Sequence, residues 1–566
     1  MKGYFWGIFL IIIAINTRVW GQDTSCHFTK PMQLPFNIAG TFCEPRQDHF
    51  HSGIDIKTNG EEGVAVMTIA NGYISRIRVS PYGYGKAIYI THPNGYTSVY
   101  GHLSKFYGAI ETYIHQKMYL QKKSEIDLNL DSTLFKVHQK DTIAFSGNTG
   151  GSSAPHLHFE IRDTKSEYAL NPLLFYAKEF YIDTIPPTVN SIKIYQFTNY
   201  FYNNINSIFP LKKDNANVFT TDSFIPIYKN YKFYFSLQGY DKQDFSENKN
   251  GIQKIEVLNG NELLFSYNIT YLDFDKTRMC NAFIDYDELK KNNGYFYNCY
   301  TLKNNALDFY TPNLAGYASL YNKDTIHLTV NCYDINHNKT TVLLNFKTIS
   351  TPIFTSILQH SLPNYSAIIT AEKKEICSTN FCINFLDNTF YDNAEIHVNT
   401  NTVNATLQTY NAINNKQNIP LQKVASVKIS SSINKKEAKK MVIMRKDLSG
   451  NEIALKTNFN KGVFYADTKE LGTFYLKKDI IPPTVIFDSI LNGNSIKVFI
   501  LDTISGIDTY NGYIDKQWVN FYFDAKNNLL IYPFDEYCKK GKHTLKIIIT
   551  DKVGNKTIKK EKFTYH

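Results

Sequence analysis

The segment Ser146-Gly-Asn-Thr-Gly-Gly-Ser-Ser-Ala-Pro-His156-Leu-His158-Phe-Glu-Ile161 is the most informative stretch of this sequence. Its first part is rich in glycine and serine and predicts a loop, whereas its last part predicts a strand. Residues two apart on a strand project to the same face, about 6 to 7 Å apart along the chain. One of His156 and His158 can therefore bind a metal ion while the other faces a substrate.

Two earlier motifs supply further candidate ligands, His51-Ser-Gly-Ile-Asp55 and Gly101-His102-Leu103. A catalytic zinc ion needs three nitrogen or oxygen ligands from the protein and one position open for water, and His51, Asp55 and His158 can supply the three ligands. His102 and His156 then remain for proton transfer. Taken alone, each motif is equally compatible with a turn aspartate or an ordinary polar strand face.

Residues 64–100 alternate short apolar stretches with glycine and asparagine, which predicts strands joined by tight turns. Long helical periodicity is nearly absent, so we expect a compact β fold for the front of the chain. Residues 105–138 are richer in lysine and glutamine and predict an insertion into this fold. The sheet resumes at Asp141–Phe145.

In combination, these motifs resemble the lysostaphin and LytM type zinc metallopeptidases, peptidase family M23. The family signature is a His-x-x-x-Asp pair, a later Tyr-x-His-Leu and a glycine-rich loop that ends in Pro-His-Leu-His-Phe-Glu. This chain has the three parts in order, as His51–Asp55, Tyr100–Leu103 and Pro155–Glu160. The resemblance covers residues 35–175.

The resemblance implies a small antiparallel β domain of the duplicated hybrid motif type, with a groove in which amide bonds of peptidoglycan peptide stems are hydrolysed. It implies one zinc ion per chain on His51, Asp55 and His158, with His102 and His156 as the catalytic histidines. One of these two would move a proton from water to the leaving amine, and the other would stabilise the oxyanion. The sequence leaves the assignment of these two roles open.

Three departures from the family pattern concern the surroundings of the site. The stretch between His102 and Gly147 is long, so residues 105–138 are predicted to form a flap beside the groove. Ala154 and Cys43 stand where glycine is common in the family. None of the three removes a ligand.

The tail contains an internal repeat that predicts its domain organisation. Asp183-Thr-Ile-Pro-Pro-Thr188 recurs as Asp479-Ile-Ile-Pro-Pro-Thr484, and paired prolines predict an extended linker that enters a strand. Asp-x-x-x-Asn turns between alternating runs predict hairpins at Asp334, Asp447 and Asp551. We therefore predict a mainly β protein, with a peptidase domain at 22–182 and three Ig-like β-sandwich modules at 183–350, 351–478 and 479–566.

The beginning of the chain predicts export. Lys2 precedes an apolar run from Tyr4 to Ile15, and Val19-Trp-Gly21 suits signal peptidase, so residues 1–21 are predicted to be a signal peptide. We expect the mature protein in the periplasm or at the cell surface, without a membrane-spanning segment.

The eight cysteines form an even number in an exported chain, which permits disulfides. Proximity in sequence suggests the pairs Cys26–Cys43, Cys280–Cys299 and Cys377–Cys382. Free buried thiols are the alternative for Cys332 and Cys538.

The formal charge of +10 is compatible with an anionic cell-wall polymer or lipid surface as a partner. Its lysines are scattered and form no arginine-rich stripe, which argues against nucleic acid.

Three classes of function follow. The first is an exported zinc endopeptidase that cuts peptidoglycan cross-links. The second is an inactive relative that activates another cell-wall hydrolase, but such relatives lack metal ligands and all five positions are intact here. The third is an envelope adhesion or scaffold protein. For the tail modules we expect a role as spacers or as a docking surface for an envelope protein, with sugar binding as the alternative.

Overall fold

The computed structural model describes residues 28–176, 180–197, 207–215, 217–229, 231–316, 318–319, 324–350, 366–369, 374–404, 407–413, 418–487, 491–492 and 495–566. The predicted signal peptide and Cys26 lie outside these residues. The described chain is mainly β, which confirms the predicted fold class. Its α-helices are short: α1 (Ala109–Gln121), α2 (Cys280–Phe283), α3 (Tyr286–Asn292) and α4 (Lys435–Ala438). Among the described helices, none has the length and apolar character needed to cross a bilayer.

Twelve strands form the front domain. They are β1 (Ile38–Gly40), β2 (Ile54–Lys57), β3 (Ala65–Met67), β4 (Gly72–Val79), β5 (Lys86–Thr91), β6 (Tyr96–Leu103), β7 (Lys105–Phe106), β8 (Ile126–Asn129), β9 (Lys136–Val137), β10 (Thr142–Phe145), β11 (His156–Asp163) and β12 (Ala169–Leu170). The main antiparallel sheet has the order β1-β2-β11-β6-β5-β4-β8, and β3-β10-β7 form a second sheet. Strand β11 therefore lies in the interior of the main sheet.

Alternate side chains of strand β11 face the hydrophobic core on one side and the candidate site on the other. Leu157, Phe159 and Ile161 are each 0% exposed and belong to the hydrophobic core. The residues between them, His156, His158 and Glu160, project to the opposite face, because successive strand residues point to opposite sides.

The insertion at residues 105–138 is part of the folded domain and not a free flap. Strands β8 and β9 both pair with β4 and so widen the main sheet. Helix α1 buries Ile110, Ile114 and Met118. The predicted flap is thus corrected to a helix and three short strands, β7, β8 and β9, because the insertion carries its own apolar face.

The segments predicted as modules at 183–350, 351–478 and 479–566 follow the front domain and are called the second, third and fourth modules. The second module consists of two sheets and the short helices α2 and α3. Its strands are β13 (Thr188–Phe197), β14 (Ser207–Pro210), β15 (Lys212–Asn215), β16 (Val218–Thr220), β17 (Ile225–Tyr228), β18 (Lys232–Tyr240), β19 (Lys254–Asn259), β20 (Glu262–Asn268), β21 (Tyr271–Leu272), β22 (Phe296–Asn298), β23 (Ala318–Ser319), β24 (Thr325–Tyr333) and β25 (Lys339–Ile349). One sheet has the order β14-β13-β18-β22 and the other the order β15-β16-β25-β24-β19-β20.

The third and fourth modules also have two sheets each. The third contains β26 (Ser366–Ile369), β27 (Lys374–Ser378), β28 (Phe381–Phe385), β29 (Ala394–Asn404), β30 (Leu407–Ile413), β31 (Ala425–Ser430), β32 (Met441–Lys446), β33 (Glu452–Ala454), β34 (Thr457–Asn460), β35 (Val463–Thr468) and β36 (Gly472–Lys478). The fourth contains β37 (Thr484–Ile486), β38 (Leu491–Asn492), β39 (Ser495–Leu501), β40 (Ile507–Ile514), β41 (Gln517–Val519), β42 (Tyr522–Asp524), β43 (Leu529–Pro533), β44 (Gly541–Asp551) and β45 (Lys556–Tyr565). Each module has a hydrophobic core of its own between its two sheets.

The front domain and the second module share one hydrophobic core. The ring of Phe50 packs against Phe283 and Phe309, with centroids 5.4 and 5.9 Å apart. Strand β12 of the front domain also pairs with β21 of the second module. The predicted boundary at 182 therefore separates two segments that bury apolar surface against each other. The boundaries at 21, 182, 350 and 478 stay predictions.

The cysteines follow the predicted pairing in one case. Cys377 and Cys382 form a disulfide, as predicted. The predicted Cys280–Cys299 pair is wrong: both thiols are free and buried, and they contact different polar groups, Asn281 and the carbonyl of Tyr297. Cys43, Cys332 and Cys538 are also buried free thiols, and the predicted partner of Cys43 lies outside the described residues.

Candidate active site

Neighbouring strands of the main sheet bring the three predicted metal ligands together. Strand β11 pairs with β2 on one side and β6 on the other, and this register places His158 beside Asp55 and Gly101. His51 lies three residues before β2. As a result, Nε2 of His51, Oδ1 of Asp55 and Nδ1 of His158 are all within 3.0–3.1 Å of one another.

The geometry and chemistry of these three atoms fit a zinc ion. Nitrogen and oxygen ligands bind zinc at about 2.0–2.2 Å, so ligand atoms of a tetrahedral site lie roughly 3.3–3.6 Å apart. A spacing of 3.0–3.1 Å needs only a small outward movement to accept the ion. Two imidazoles and one carboxylate, all buried, are a donor set that catalytic zinc sites use.

The other polar atom of each candidate ligand is held by a partner. Nδ1 of His51 donates to the carbonyl of Thr41 at 2.8 Å. Oδ2 of Asp55 accepts from Nη2 of Arg46 at 3.1 Å. These contacts orient the rings and the carboxylate, and they leave the lone pairs of the converging atoms available for a metal.

Glu160 holds His158 from behind. Its Oε1 accepts hydrogen bonds from Nε2 of His158 at 2.8 Å, Oγ of Ser52 at 2.5 Å and the Tyr84 hydroxyl at 2.6 Å, while Oε2 accepts from Nε of Arg162 at 2.6 Å. Burial alone would raise the pKa of Glu160, but the Arg162 charge and these donors hold that pKa well below its usual range. A charged carboxylate therefore fixes the tautomer of His158.

Metal binding must displace a proton from this site. Burial lowers the pKa of His158, but hydrogen bonds to Asp55 and Glu160 outweigh it and raise the pKa to about 9. Burial lowers the pKa of His51. The metal-free site therefore holds its proton on His158, where a cation would replace it.

His102 and His156 face the same site, and both are anchored through Nδ1. Nδ1 of His102 donates to the carbonyl of Thr149 and Nδ1 of His156 to that of Ala154, each at 2.8 Å. A carbonyl can only accept, so the lone pair of each ring is on Nε2. Nε2 of His156 lies 3.2 Å from Oδ1 of Asp55. The ring centroids of His102 and His156 are 4.8 Å apart.

The electrostatics of His102 keep its ring neutral. Burial, together with the neighbouring His158 and His156, lowers the pKa of His102 to about 3. Its backbone is in the left-handed region, with φ 58°, which is unusual for a residue other than glycine. Such conformations persist where the surrounding structure enforces them, and functional sites are a common place.

Cys43, one of the departures from the family pattern, is also left-handed, with φ 55°. Glycine adopts this conformation without strain, which explains its frequency at that position. Ala154, the other departure, contributes through its backbone carbonyl, which a glycine would supply equally well.

Five residues that support the site received no role from the sequence: Arg46, Ser52, Tyr84, Glu160 and Arg162. A signal for two of them was present, because Glu160 and Arg162 continue the period of two that His156 and His158 begin on β11. Tyr84 comes from a turn more than 70 residues away from Glu160, and no local pattern connects it to the site.

Comparisons with known proteins relate the front of the chain to a peptidase family. A model of peptidase family M23 matches residues 49–126, which include His51, Asp55 and His102. DD-carboxypeptidase/endopeptidase Mpg of Neisseria meningitidis is 33% identical over 112 residues, covering 20% of this chain and 20% of that protein. The front domain is an M23 peptidase domain. Peptidoglycan DD-endopeptidase ShyA of Vibrio cholerae is 30% identical over 136 residues, which cover 23% of this chain and 26% of ShyA.

The matched segments span about a fifth to a quarter of the length of these relatives. A zinc containing peptidase from Vibrio cholerae is 23% identical over 27% of this chain and 40% of its own, with a TM-score of 0.20. The catalytic domain of lysostaphin from Staphylococcus simulans is 24% identical over 25% of this chain and 91% of its own, with a TM-score of 0.19. Behind the M23 domain, a model of a Zu5-like domain matches residues 367–479, which include most of the predicted module at 351–478 and the first residue of the next one.

Proposed function

We propose that this protein is an exported, zinc-dependent metalloendopeptidase that hydrolyses peptide cross-links of peptidoglycan. The observation that carries the proposal is the convergence of His51, Asp55 and His158 on one point, with Nε2 of His102 and His156 left free beside it. ShyA, which is named as a peptidoglycan DD-endopeptidase, supports the substrate class.

The ligands and the two further histidines divide the work of hydrolysis. Zinc held by His51, Asp55 and His158 would supply an activated water near neutral pH and polarise the scissile carbonyl. His102 is neutral and has its lone pair on Nε2, so it can take the proton of the attacking water and pass it to the leaving amine.

The same hydrogen bonds favour His156 as the residue that stabilises the oxyanion. Both catalytic rings have committed their Nδ1 proton to a carbonyl, so a ring can donate through Nε2 only as a cation. Burial and two neighbouring histidines oppose a cation at His102. Nε2 of His156 lies 3.2 Å from Oδ1 of Asp55, next to the candidate ligand atoms. We therefore assign proton transfer to His102 and stabilisation of the oxyanion to His156.

The first test is the metal content of the purified chain together with a digest of purified peptidoglycan, analysed by mass spectrometry with and without a chelator. We expect one zinc ion per chain and a chelator-sensitive loss of cross-linked dimers. His158→Ala should lose zinc and activity together, whereas His102→Ala should keep zinc and lose turnover. His138→Ala, which removes a histidine whose side chain is 83% exposed, is the matched control and should keep both.

Two results would contradict the proposal. Hydrolysis that persists in both His158→Ala and His102→Ala would remove these residues from the mechanism. The absence of both zinc and cleavage would favour the alternative of a regulatory protein that activates another hydrolase.

A further inference from the structure

Two clusters of three aspartates occupy equivalent places in the second and fourth modules. They are Asp183, Asp241 and Asp334 in the second module, and Asp479, Asp502 and Asp551 in the fourth. Within each cluster, one carboxylate oxygen of each residue lies within 4.8 Å of the other two. All but Asp502 are buried.

The two clusters are built from the same parts of the module. The first aspartate opens the Asp-x-x-Pro-Pro-Thr linker, and the linker leads into β13 or β37. The second aspartate directly follows β18, which pairs with β13, or β39, which pairs with β37. The third stands at the turn before the last strand, β25 or β45. The internal repeat of the sequence is therefore also a repeat of this arrangement in space.

An asparagine holds the first and third aspartates together in both modules. Nδ2 of Asn338 donates to Oδ2 of Asp334 at 2.6 Å and to the carbonyl of Asp183 at 2.9 Å. Nδ2 of Asn555 donates to Oδ2 of Asp551 at 2.7 Å and to the carbonyl of Asp479 at 3.1 Å. The turn thus brings two carboxylates together against their mutual repulsion.

The positive side chains near the clusters do not pair with their carboxylates: His337 acts on Asp334 only through its charge, and Nζ of Lys440 donates to Oδ1 of Asn555 at 2.6 Å. Among the described residues, none of the six aspartates forms a salt bridge with lysine, arginine or histidine. Burial and the neighbouring carboxylates raise the pKa of Asp183 to about 7 and that of Asp241 to about 9. Uncompensated buried charges are costly, and proteins normally pair them or use them to coordinate metals.

Each cluster also has a buried oxygen without a hydrogen-bond partner. In the second module it is Oδ1 of Asp241, a residue that is 3% exposed. In the fourth it is Oγ of Ser505, a residue that is 1% exposed and whose backbone N–H donates to Oδ2 of Asp479 at 3.1 Å. Buried polar atoms are nearly always paired, so the unpaired oxygen of Asp241, a member of its cluster, points to a cation as its partner.

We propose that each cluster binds one hard divalent cation of the calcium class. Oxygen ligands bind Ca²⁺ at about 2.3–2.6 Å, so two ligands on opposite sides of one ion lie at most about 4.6–5.2 Å apart. The 4.8 Å spread of each cluster fits within this limit. All the donors are oxygen atoms, which favours calcium over zinc. The ion would join the linker to two turns of its module, and so fix the direction in which the module leaves the preceding one.

The third module provides a matched control. Its turn Asp447–Asn451 has the same hydrogen bonds, from the backbone N–H of Asn451 to Oδ1 of Asp447 at 2.8 Å and from Nδ2 to Oδ2 at 2.9 Å. In the part of the chain that the structure describes, Asp447 belongs to no carboxylate cluster. A substitution there tests the turn without the proposed ion.

The experiment is a calorimetric titration of Ca²⁺ alone into the full chain, with Zn²⁺ added beforehand to fill the histidine site. We expect two ions per chain for the wild type and for Asp447→Asn, one each for Asp241→Asn and Asp502→Asn, and none for the double variant. Ca²⁺ should also raise the melting temperature of the wild type and not that of the double variant.

Asp241→Asn and Asp502→Asn lie in different modules, so a folding failure of one leaves the other as a test. The absence of saturable Ca²⁺ binding by the wild type, or two ions retained by the double variant, would overturn the proposal. Because hydrolysis is not measured, this outcome is independent of the proposed peptidase activity.

Discussion

Individual acceptors decide where each proton of the active site is held. Nδ1 of three rings donates to a backbone carbonyl at 2.8 Å; the rings are His51, His102 and His156. His158 is reversed, because its Nε2 meets Glu160 and its Nδ1 faces the ligands. Glu160 therefore sets the opposite orientation of the His158 ring, whereas the ring of His51 is held by a backbone carbonyl.

Glu160 is consequently the residue whose charge we expect to matter most outside the ligands and catalytic histidines. Glu160→Gln keeps the size of the side chain but removes the charge that Arg162 and His158 neutralise. Loss of such a partner typically lowers metal affinity about 10- to 100-fold, and we expect this range for zinc. Competition with a chromophoric chelator measures the affinity.

Glu167→Gln is the control for this variant. Oε2 of Glu167 lies 3.6 Å from Nη1 of the same arginine, but its side chain is 63% exposed. Exposed ion pairs contribute little, so the zinc affinity of this variant should stay within about twofold of wild type. An unchanged affinity in Glu160→Gln would show that the charge behind His158 does not tune the ligand.

At the scale of the element, local patterns predicted β11 and the loop before it, but not their surroundings. The alternation of His156, His158 and apolar residues is a local signal, and so is the glycine-rich loop. The strands that flank β11 are β2 and β6, which lie about 100 and 60 residues away in the sequence. Their register with β11 is set by long-range pairing and not by a local pattern. The sequence could therefore predict the ligands, through the family motifs. It could not predict that Arg46 would hydrogen-bond to Asp55 and Tyr84 to Glu160.

The glycine-rich loop offers a prediction about two adjacent glycines. Gly150 has φ 74°, and a Cβ atom there would lie 2.3 Å from the backbone nitrogen of Gly85. We expect Gly150→Ala to lower the melting temperature and turnover, because the displaced loop carries the Thr149 carbonyl that orients His102. The left-handed conformation alone costs about 1–2 kcal/mol for an L-residue. Zinc content should stay at one ion per chain, since the ligands lie outside the loop.

Gly151→Ala is the matched substitution at the next residue. A Cβ atom there would meet its nearest neighbour at 3.5 Å, which is ordinary contact. Its melting temperature and turnover should remain close to wild type. Equal melting temperatures for both variants, measured by differential scanning fluorimetry, would show that the close approach of the loop to Gly85 is not required.

At the scale of the whole molecule, the fourth module lies against the front domain. The ring of Tyr537 stacks on Tyr119 of α1 with centroids 3.9 Å apart, and Oδ2 of Asp535 lies 3.1 Å from Nε2 of His115. The sequence predicted modules that act as spacers or as a docking surface for an envelope protein. It could not predict this contact, because the paired residues are about 420 positions apart and a surface aromatic residue has the same local pattern as a core one. The envelope partner stays a prediction.

The fourth module also contacts the catalytic loop, through Lys526 and Tyr522. Nζ of Lys526 donates to the carbonyls of Asn148 and Ser152, the latter at 2.9 Å, so it holds the loop on both sides of Gly150. The hydroxyl of Tyr522 accepts from the N–H of Gly150 at 3.4 Å. The loop in turn positions His102, which ties the last module of the chain to the chemistry of the first.

We therefore expect Lys526→Ala to lower kcat about tenfold, which corresponds to about 1.4 kcal/mol of transition-state stabilisation. Zinc content and KM should change little, because the ligands lie on β2, β11 and the segment before β2. Lys526→Arg should restore part of the rate, since a guanidinium can still donate to both carbonyls. Lys540→Ala, an exposed lysine of the same module, is the control and should match wild type. A wild-type kcat in Lys526→Ala, measured on a soluble cross-linked muropeptide, would mean that the front domain orders its catalytic loop without the fourth module.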